Sequence, residues 1–266
     1  MPRLRSEDAA RRAESGQQDF VESLARGLNV ILAFGIERRP MTLSEVSRAA
    51  NLPKASTSRL LRTLDTLGYV ETDGRVFRLT SHVLTLAGAF LGSDPVTTLL
   101  QPLCERISRL FRESCFVGVL DGRHVVTVAH ASPRSAERLT TNIGLRHPAF
   151  ATAAGRVLLA ALSDDTLEAF LKDLHPQAFT RHTILDRGKL REIILKCRAE
   201  GYCISNQESV IGYRAVAFPL QRRDGSTVGT LCISLRIEHC ESSPDLMDRS
   251  IDILRRESAR LQRELI

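Results

Sequence analysis

Residues 42–79 read TLSEVSRAANLPKASTSRLLRTLDTLGYVETDGRVFRL, and this stretch decides the fold of the first part of the chain. Thr42 followed three residues later by Glu45 is a capping box, the signature of a helix start. Leu43, Val46 and Ala50 then share one helical face, and Asn51-Leu52-Pro53 breaks the run. A second helix follows, with Thr57, Leu61 and Leu64 on one face and Leu60 and Leu67 beside them; Gly68 supplies its stop. Tyr69–Thr72 and Arg75–Leu79 flank Asp73-Gly74, a hairpin turn signal. Two short helices, a tight turn and a β-wing spell a winged helix-turn-helix, which points to double-stranded DNA.

The second helix turns Lys54, Ser56, Ser58, Arg59 and Arg62 away from its apolar stripe. Short hydroxyls and Arg suit a major groove, where Arg pairs bidentately with guanine. Lys54, at the positive end of the helix, suits a phosphate, and Arg75 at the wing tip suits backbone or minor-groove contact. Surface helices in general turn Ser and Arg outward, so the wing and the charge balance decide between the readings. From Arg38 to Leu79 stand eight Lys/Arg (Arg38, Arg39, Arg48, Lys54, Arg59, Arg62, Arg75, Arg78) against four acids (Glu45, Asp65, Glu71, Asp73). That net charge of +4 has the sign a polyanion requires.

Around this head, 266 residues with 43% apolar content suffice for one large core or two modest ones. Residues 1–19 are polar, charged with both signs, and read as a disordered arm without the apolar core of a signal peptide. No apolar run reaches the ~20 residues of a membrane span, which favours a cytoplasmic protein with no membrane partner. Six Cys without a Cys-x-x-Cys pair read as reduced core residues. Aromatics at 5% leave little surface for stacking single-stranded bases.

Phe20–Phe34 carries Val21, Leu24, Leu28, Ile31 and Leu32 at helical spacing and is expected to pack beneath the helix pair. After the wing, Ser81 caps a linker helix striped with Val83, Leu84, Ala87 and Leu91 and ended by Gly92–Pro95. Its stripe either meets the same helix of a second copy or folds onto its own domain. Beyond it, helices are expected at Val96–Phe111, Ala153–Leu162, Asp164–Leu171, Asp186–Ala199 (stopped by Gly201) and Ile251–Leu265. Strands are expected at Cys115–Leu120, Val125–Ala129, Leu139–Ile143, Tyr202–Ser205, Ala215–Leu220 and Val228–Arg236. Hairpins mixed with helices make this an α+β chain: head over 20–80, linker over 81–94, sensor-like antiparallel domain over 95–266. The sequence holds no Gly-x-Ser-x-Gly, Walker loop, Gly-x-Gly-x-x-Gly or His-Glu-x-x-His, so we expect no catalytic residues, cofactor or metal. Arg146-His147 and Arg181-His182 read as ligand or surface groups, and Cys232 as a core thiol that needs a nearby His to act as a nucleophile.

The segment Leu52–Leu61 resembles the IclR-type bacterial transcription regulators, and the likeness runs from Phe20 to Ile266. Pro148–Ala160, Gly212–Pro219 and the Phe20–Leu28 entry are similar to the branch that controls aromatic catabolism through the β-ketoadipate pathway. The resemblance implies a GAF-like effector domain, a homodimer or tetramer, operator DNA and RNA polymerase as partners, and a small organic acid as effector. It places the acid against the helix start Ala153-Ala154-Gly155, where backbone N–H groups and the helix dipole favour a carboxylate. Pocket side chains of the family match Ser205, Ala215, Cys232 and Ser234, with Arg138, Arg146, His147 and Arg214 as candidates to neutralise a second carboxylate; Arg214 reads equally as a structural ion-pair partner. Here the chain departs from the family. Ser205-Asn206-Gln207 replaces a commonly acidic stretch, leaving Glu208, and Val210–Ala215 replaces Glu-Pro-Gly-x-Arg-Ser. The result is a less acidic pocket, which favours an anion.

Overall fold

The computed structural model describes residues 20–37, 39–92, 96–133 and 143–264. The arm expected over 1–19, most of the Gly92–Pro95 stop, Arg138 and the strand expected at Leu139–Ile143 lie outside them, except that Gly92 closes a helix and Ile143 stands in a turn. Backbone packing divides the chain into two compact units, Met1–Ser93 and Asp94–Ile266.

The first unit runs α1 (Glu22–Glu37), α2 (Leu43–Ala49), α3 (Lys54–Thr66), β1 (Val70–Thr72), β2 (Phe77–Leu79), a 3-10 turn Ser81–Val83 and α4 (Leu84–Gly92). The capping box forms: Thr42 N–H donates to Glu45 Oε2 at 2.7 Å, and Glu45 N–H to Thr42 Oγ1 at 3.4 Å. Arg39 and the Thr42 groups bonded to it hold the Glu45 carboxyl down at about 2. The chain turns into α3 through Asn51 in the left-handed region (φ 52°), with Leu52 N–H donating to Ser47 O at 3.0 Å. Val30, Ala33, Phe34, Val46, Leu61, Leu64 and Val70 fill the core.

Two expectations need correction here. The buried face of α1 is Val30, Ala33 and Phe34; Leu24, Leu28 and Leu32 are exposed at 64, 48 and 53%. Helix α1 carries two apolar stripes, and only the one meeting α2, α3 and β2 is buried. The hydroxyl that caps the turn after the wing is Thr80, accepting from His82 N–H at 3.2 Å, in place of its neighbour Ser81.

The second unit contains α5 (Val96–Phe111), β3 (Ser114–Asp121), β4 (His124–Ala131), β5 (Arg146–Pro148), a 3-10 turn Ala149–Ala151, α6 (Ala153–Ala160), α7 (Asp164–Asp173) and α8 (Arg187–Glu200). It continues with β6 (Cys203–Asn206), β7 (Tyr213–Gln221), β8 (Thr227–Arg236), α9 (Ile237–Ser242) and α10 (Leu246–Glu264). The six strands form one antiparallel sheet in the order β5-β4-β3-β8-β7-β6. Period-2 alternation sends Cys115, Val117, Val216, Phe218 and Ile233 toward a core shared with α5 and α10. Phe116, Cys203, Ala217 and Cys232 point the other way, toward a core shared with α6, α7 and α8. Gly201, at φ 75°, ends α8 as a left-handed cap. The short α9 was not foreseen, and the last helix begins five residues before Ile251, at Leu246.

Candidate functional sites

Helix α3 begins without a side-chain cap, because its N-cap is Pro53. The first-turn amides therefore stay open toward solvent beside the exposed Lys54, a geometry that attracts a phosphate. One turn on, Arg59 and Arg62 are exposed opposite the buried Thr57, Leu61 and Leu64. Ser56 and Ser58 are half-buried on opposite flanks of that face. The hydroxyls of Thr63 and Thr66 bond back to Arg59 O (3.1 Å) and Arg62 O (3.0 Å), so they are committed to their own helix. The wing loop spans Asp73–Val76 and is held by Asp73, whose Oδ1 accepts from Arg75 N–H and Val76 N–H, both at 2.9 Å. These two amides hold the Asp73 carboxyl below its usual range. Arg75 is exposed at the tip, whereas Arg78 is paired with Glu71 at 2.7 Å. Lys54, Arg59, Arg62 and Arg75 thus stand on the exposed surface of α3 and the wing, with both serines at the edges.

Beside α3 runs an open apolar groove of about 880 Å3 lined by Leu24, Leu28, Ile31, Leu60, Leu64, Leu67, Tyr69 and Leu86, with Ser56 and Arg59 at its border. Of the linker stripe, Leu84 and Ala87 are exposed and Val83 is half-buried. Burying a Leu stabilises by roughly 1.5–3 kcal/mol, so this is a surface that gains from a cover.

In the second unit the strand register assembles a cavity. Ser205 pairs with Ala215 and Ala215 with Ser234, making one rung across β6, β7 and β8. The next rung is Cys203, Ala217, Cys232 and Phe116. Over these rungs stands the N-terminus of α6. The cavity, about 60 Å3, is lined by Phe116, His147, Thr152, Ala153, Ala154, Ser205, Glu208, Ser209, Val210, Tyr213, Ala215, Cys232 and Ser234. The structure therefore brings together Ala153, Ala154, Ser205, Ala215, Cys232, Ser234 and His147 from the sequence reading.

Gly155 and Arg214 are not among the lining residues. Gly155 N–H is taken by Thr152 Oγ1 at 3.1 Å. A Cβ there would stand 2.1 Å from Ala149 O, so Gly155 serves the close approach of α6 to the turn beneath it. Arg214 Nε donates to Asn206 Oδ1 at 3.2 Å along β6–β7. Arg146 pairs with Asp121. Arg138 lies outside the described residues.

The cavity wall holds a buried ion pair. Arg156, on α6, donates from Nε to Phe150 O (2.9 Å), from Nη1 to Glu208 Oε1 (2.7 Å) and from Nη2 to Glu208 Oε2. The Glu208 charge is thereby neutralised in place. Its loop is tied down by Thr180 Oγ1 donating to Gln207 O and Thr183 Oγ1 to Glu208 O, both at 2.6 Å. Burial pushes the Cys232 thiol well up, which leaves it protonated and a poor nucleophile although His147 lines the same cavity. Burial also lowers the pKa of His147, keeping its ring neutral. What remains facing the space is a helix N-terminus, hydroxyls of Ser205, Ser209, Ser234 and Tyr213, and an aromatic wall; the Thr152 hydroxyl is spent on Pro148 O and Gly155 N–H. That set can hold one small carboxylate by hydrogen bonds and dipole. Among the described residues, no cluster of His, Cys, Asp or Glu could hold a metal ion, and no helix is long and apolar enough to cross a membrane.

Residues 88–262 match the family model for the bacterial transcriptional regulator IclR C-terminal domain, and residues 23–74 the IclR helix-turn-helix domain. The chain is 36% identical over 245 residues to a Pca regulon regulatory protein of Pseudomonas putida, covering 91% of this chain and 83% of the relative. It is 31% identical over 227 residues to a p-hydroxybenzoate hydroxylase transcriptional activator of Acinetobacter baylyi, covering 82% of each. The crystal structure of an IclR homolog complexed with 4-hydroxybenzoate, from Microbacterium hydrocarbonoxydans, superposes with a TM-score of 0.79 at 22% identity, over 91% of this chain and 98% of that one.

Proposed function

The chain belongs to the IclR family of bacterial transcriptional regulators, and from that premise we propose that it switches transcription in response to a small aromatic acid. Two copies grip a pseudo-palindromic operator, with α3 of each in a major groove. Arg59 and Arg62 read base edges with Ser56 and Ser58 alongside, Lys54 and the uncapped first turn take phosphate, and Arg75 on the wing touches the flanking backbone. The apolar groove with Leu24, Leu28, Leu67 and Leu86 supplies the contact between copies, in a dimer or a tetramer built from dimers. The acid binds in the α6 cavity, with its carboxylate toward Ala153 and Ala154 and its body over the Ser205–Ala215–Ser234 rung. Acid binding shifts the population of head arrangements and so the action on RNA polymerase in the cytoplasm. The chain acts as a sensor, not an enzyme.

The observation that carries this reading is the cavity itself: a helix N-terminus facing hydroxyls, with its one carboxylate already neutralised by Arg156. Relatives named for Pca and p-hydroxybenzoate genes support the aromatic branch. A thermal-shift screen tests it, using protocatechuate, 4-hydroxybenzoate, cis,cis-muconate, β-ketoadipate, pyruvate and glyoxylate. One saturable stabilisation by an aromatic acid is expected, growing with concentration as binding to the folded state requires. Silence across the panel would remove the acid sensor.

A further inference from the structure

His147 sits in the cavity wall with Phe116, ring centroids 5.9 Å apart and tilted by 31°, and β5 fixes it by backbone pairing with Val125. Its Nε2 is buried and, among the described residues, has no hydrogen-bond partner. A buried polar nitrogen left alone is unfavourable until something pairs it, so the position invites a ligand atom. The ring is neutral, since burial lowers its pKa. A neutral imidazole offers one donor and one acceptor, which a hydroxyl matches in either tautomer.

A second carboxylate is a poorer match at this wall. It would be desolvated there, and among the described residues the guanidinium groups around it are committed elsewhere. Arg156 is bound to Glu208 and Phe150 O, Arg146 to Asp121, and Arg214 to Asn206.

We propose, resting on the acid-sensor reading above, that His147 is the specificity residue that reads a ring hydroxyl on the bound acid. On this account the cavity selects hydroxylated aromatic monocarboxylates over unsubstituted benzoate and over dicarboxylates. The carboxylate goes to the α6 end and the hydroxyl to Nε2. A site built to hydrogen-bond a hydroxyl discriminates against the analogue lacking it because its own group is then stranded.

Calorimetric titration of the full chain tests this, using 3- and 4-hydroxybenzoate, benzoate and β-ketoadipate against wild type, His147→Phe and His147→Gln. Wild type is expected to bind one hydroxybenzoate at least about tenfold tighter than benzoate. His147→Phe keeps the aromatic wall and narrows that ratio to less than about threefold by loss of the hydrogen bond. His147→Gln, whose amide reaches close to the position of Nε2, keeps the preference. If His147→Phe does not fold, His147→Leu provides the same comparison. A His147→Phe protein that still prefers the hydroxybenzoate tenfold overturns the assignment, and so does tighter wild-type binding of β-ketoadipate; both leave the acid sensor standing. Wild type that binds none of the four overturns the sensor reading and the assignment with it.

Discussion

Glu208→Gln is the perturbation whose consequence the structure specifies most closely. Arg156 is 1% exposed and Glu208 7%, and the guanidinium spends all three of its nitrogens on Phe150 O and the two carboxylate oxygens. Gln preserves the shape and one acceptor, so what disappears is the charge. An unpaired cation left in a buried site costs about 3–5 kcal/mol, because neither water nor a counter-charge reaches it. For a unit of this size each kcal/mol moves the midpoint by roughly 2–4 °C, so the second unit should melt about 6–20 °C lower. Arg156→Met should cost a comparable amount by stranding the carboxylate. The double variant Arg156→Met/Glu208→Leu should recover most of the loss, since an apolar pair of similar volume needs no compensation. Urea unfolding of the four proteins gives the coupling energy as a double-mutant cycle. Single variants within about 1 kcal/mol of wild type would refute the reasoning, as that is the range of a solvated surface pair. A double variant as unstable as either single one would refute it equally.

Gly155→Ala should destabilise the second unit by at least about 1–3 kcal/mol and abolish acid binding, because its Cβ would meet the Ala149 backbone at 2.1 Å and push α6 off its seat; differential scanning calorimetry with and without acid reads both effects. Glu45, with its pKa depressed to about 2 from its ordinary value of 4.5, contributes head stability that is full above pH 4.5 and is lost as pH falls through about 2. An NMR titration placing the Glu45 carboxyl near 4.5 would contradict the Arg39 and Thr42 bonds described. Arg59→Ala should weaken binding to a duplex selected from a random pool by roughly 1–3 kcal/mol while leaving acid affinity unchanged. Lys54→Ala should weaken all duplexes alike and lower the salt slope by about 1; anisotropy titrations at several salt concentrations separate the two roles.

The head was legible because its signals are local. Thr42 and Glu45 lie one turn apart, Leu61 and Leu64 share a face, and Asp73-Gly74 marks the wing. Where the reading slipped, two local solutions were equally good. Helix α1 has two apolar stripes, and Thr80 and Ser81 are adjacent hydroxyls, so tertiary packing chose between them. The cavity was less legible, since register joins Ser205, Ala215 and Ser234 across three strands and no spacing along the chain encodes it. Those residues came from the family resemblance. Thr152 carried a readable signal, a hydroxyl just before a run of small residues that opens a helix, and was missed. Phe116 and Tyr213 carried none, and Arg156 meets Glu208 across 52 residues of chain, a pairing only the folded core brings about.

The measurement that tests the account most directly is run-off transcription from a template bearing the selected duplex, with and without saturating acid. The account predicts a change of at least about fivefold for wild type, in either direction, as a coupling free energy of the usual size between two sites produces. It predicts less than about a twofold change for Ala215→Phe, whose ring fills the cavity floor, since a ligand excluded from the site shifts no equilibrium. Equal output with and without acid in the wild type, or an undiminished response in Ala215→Phe, would contradict it.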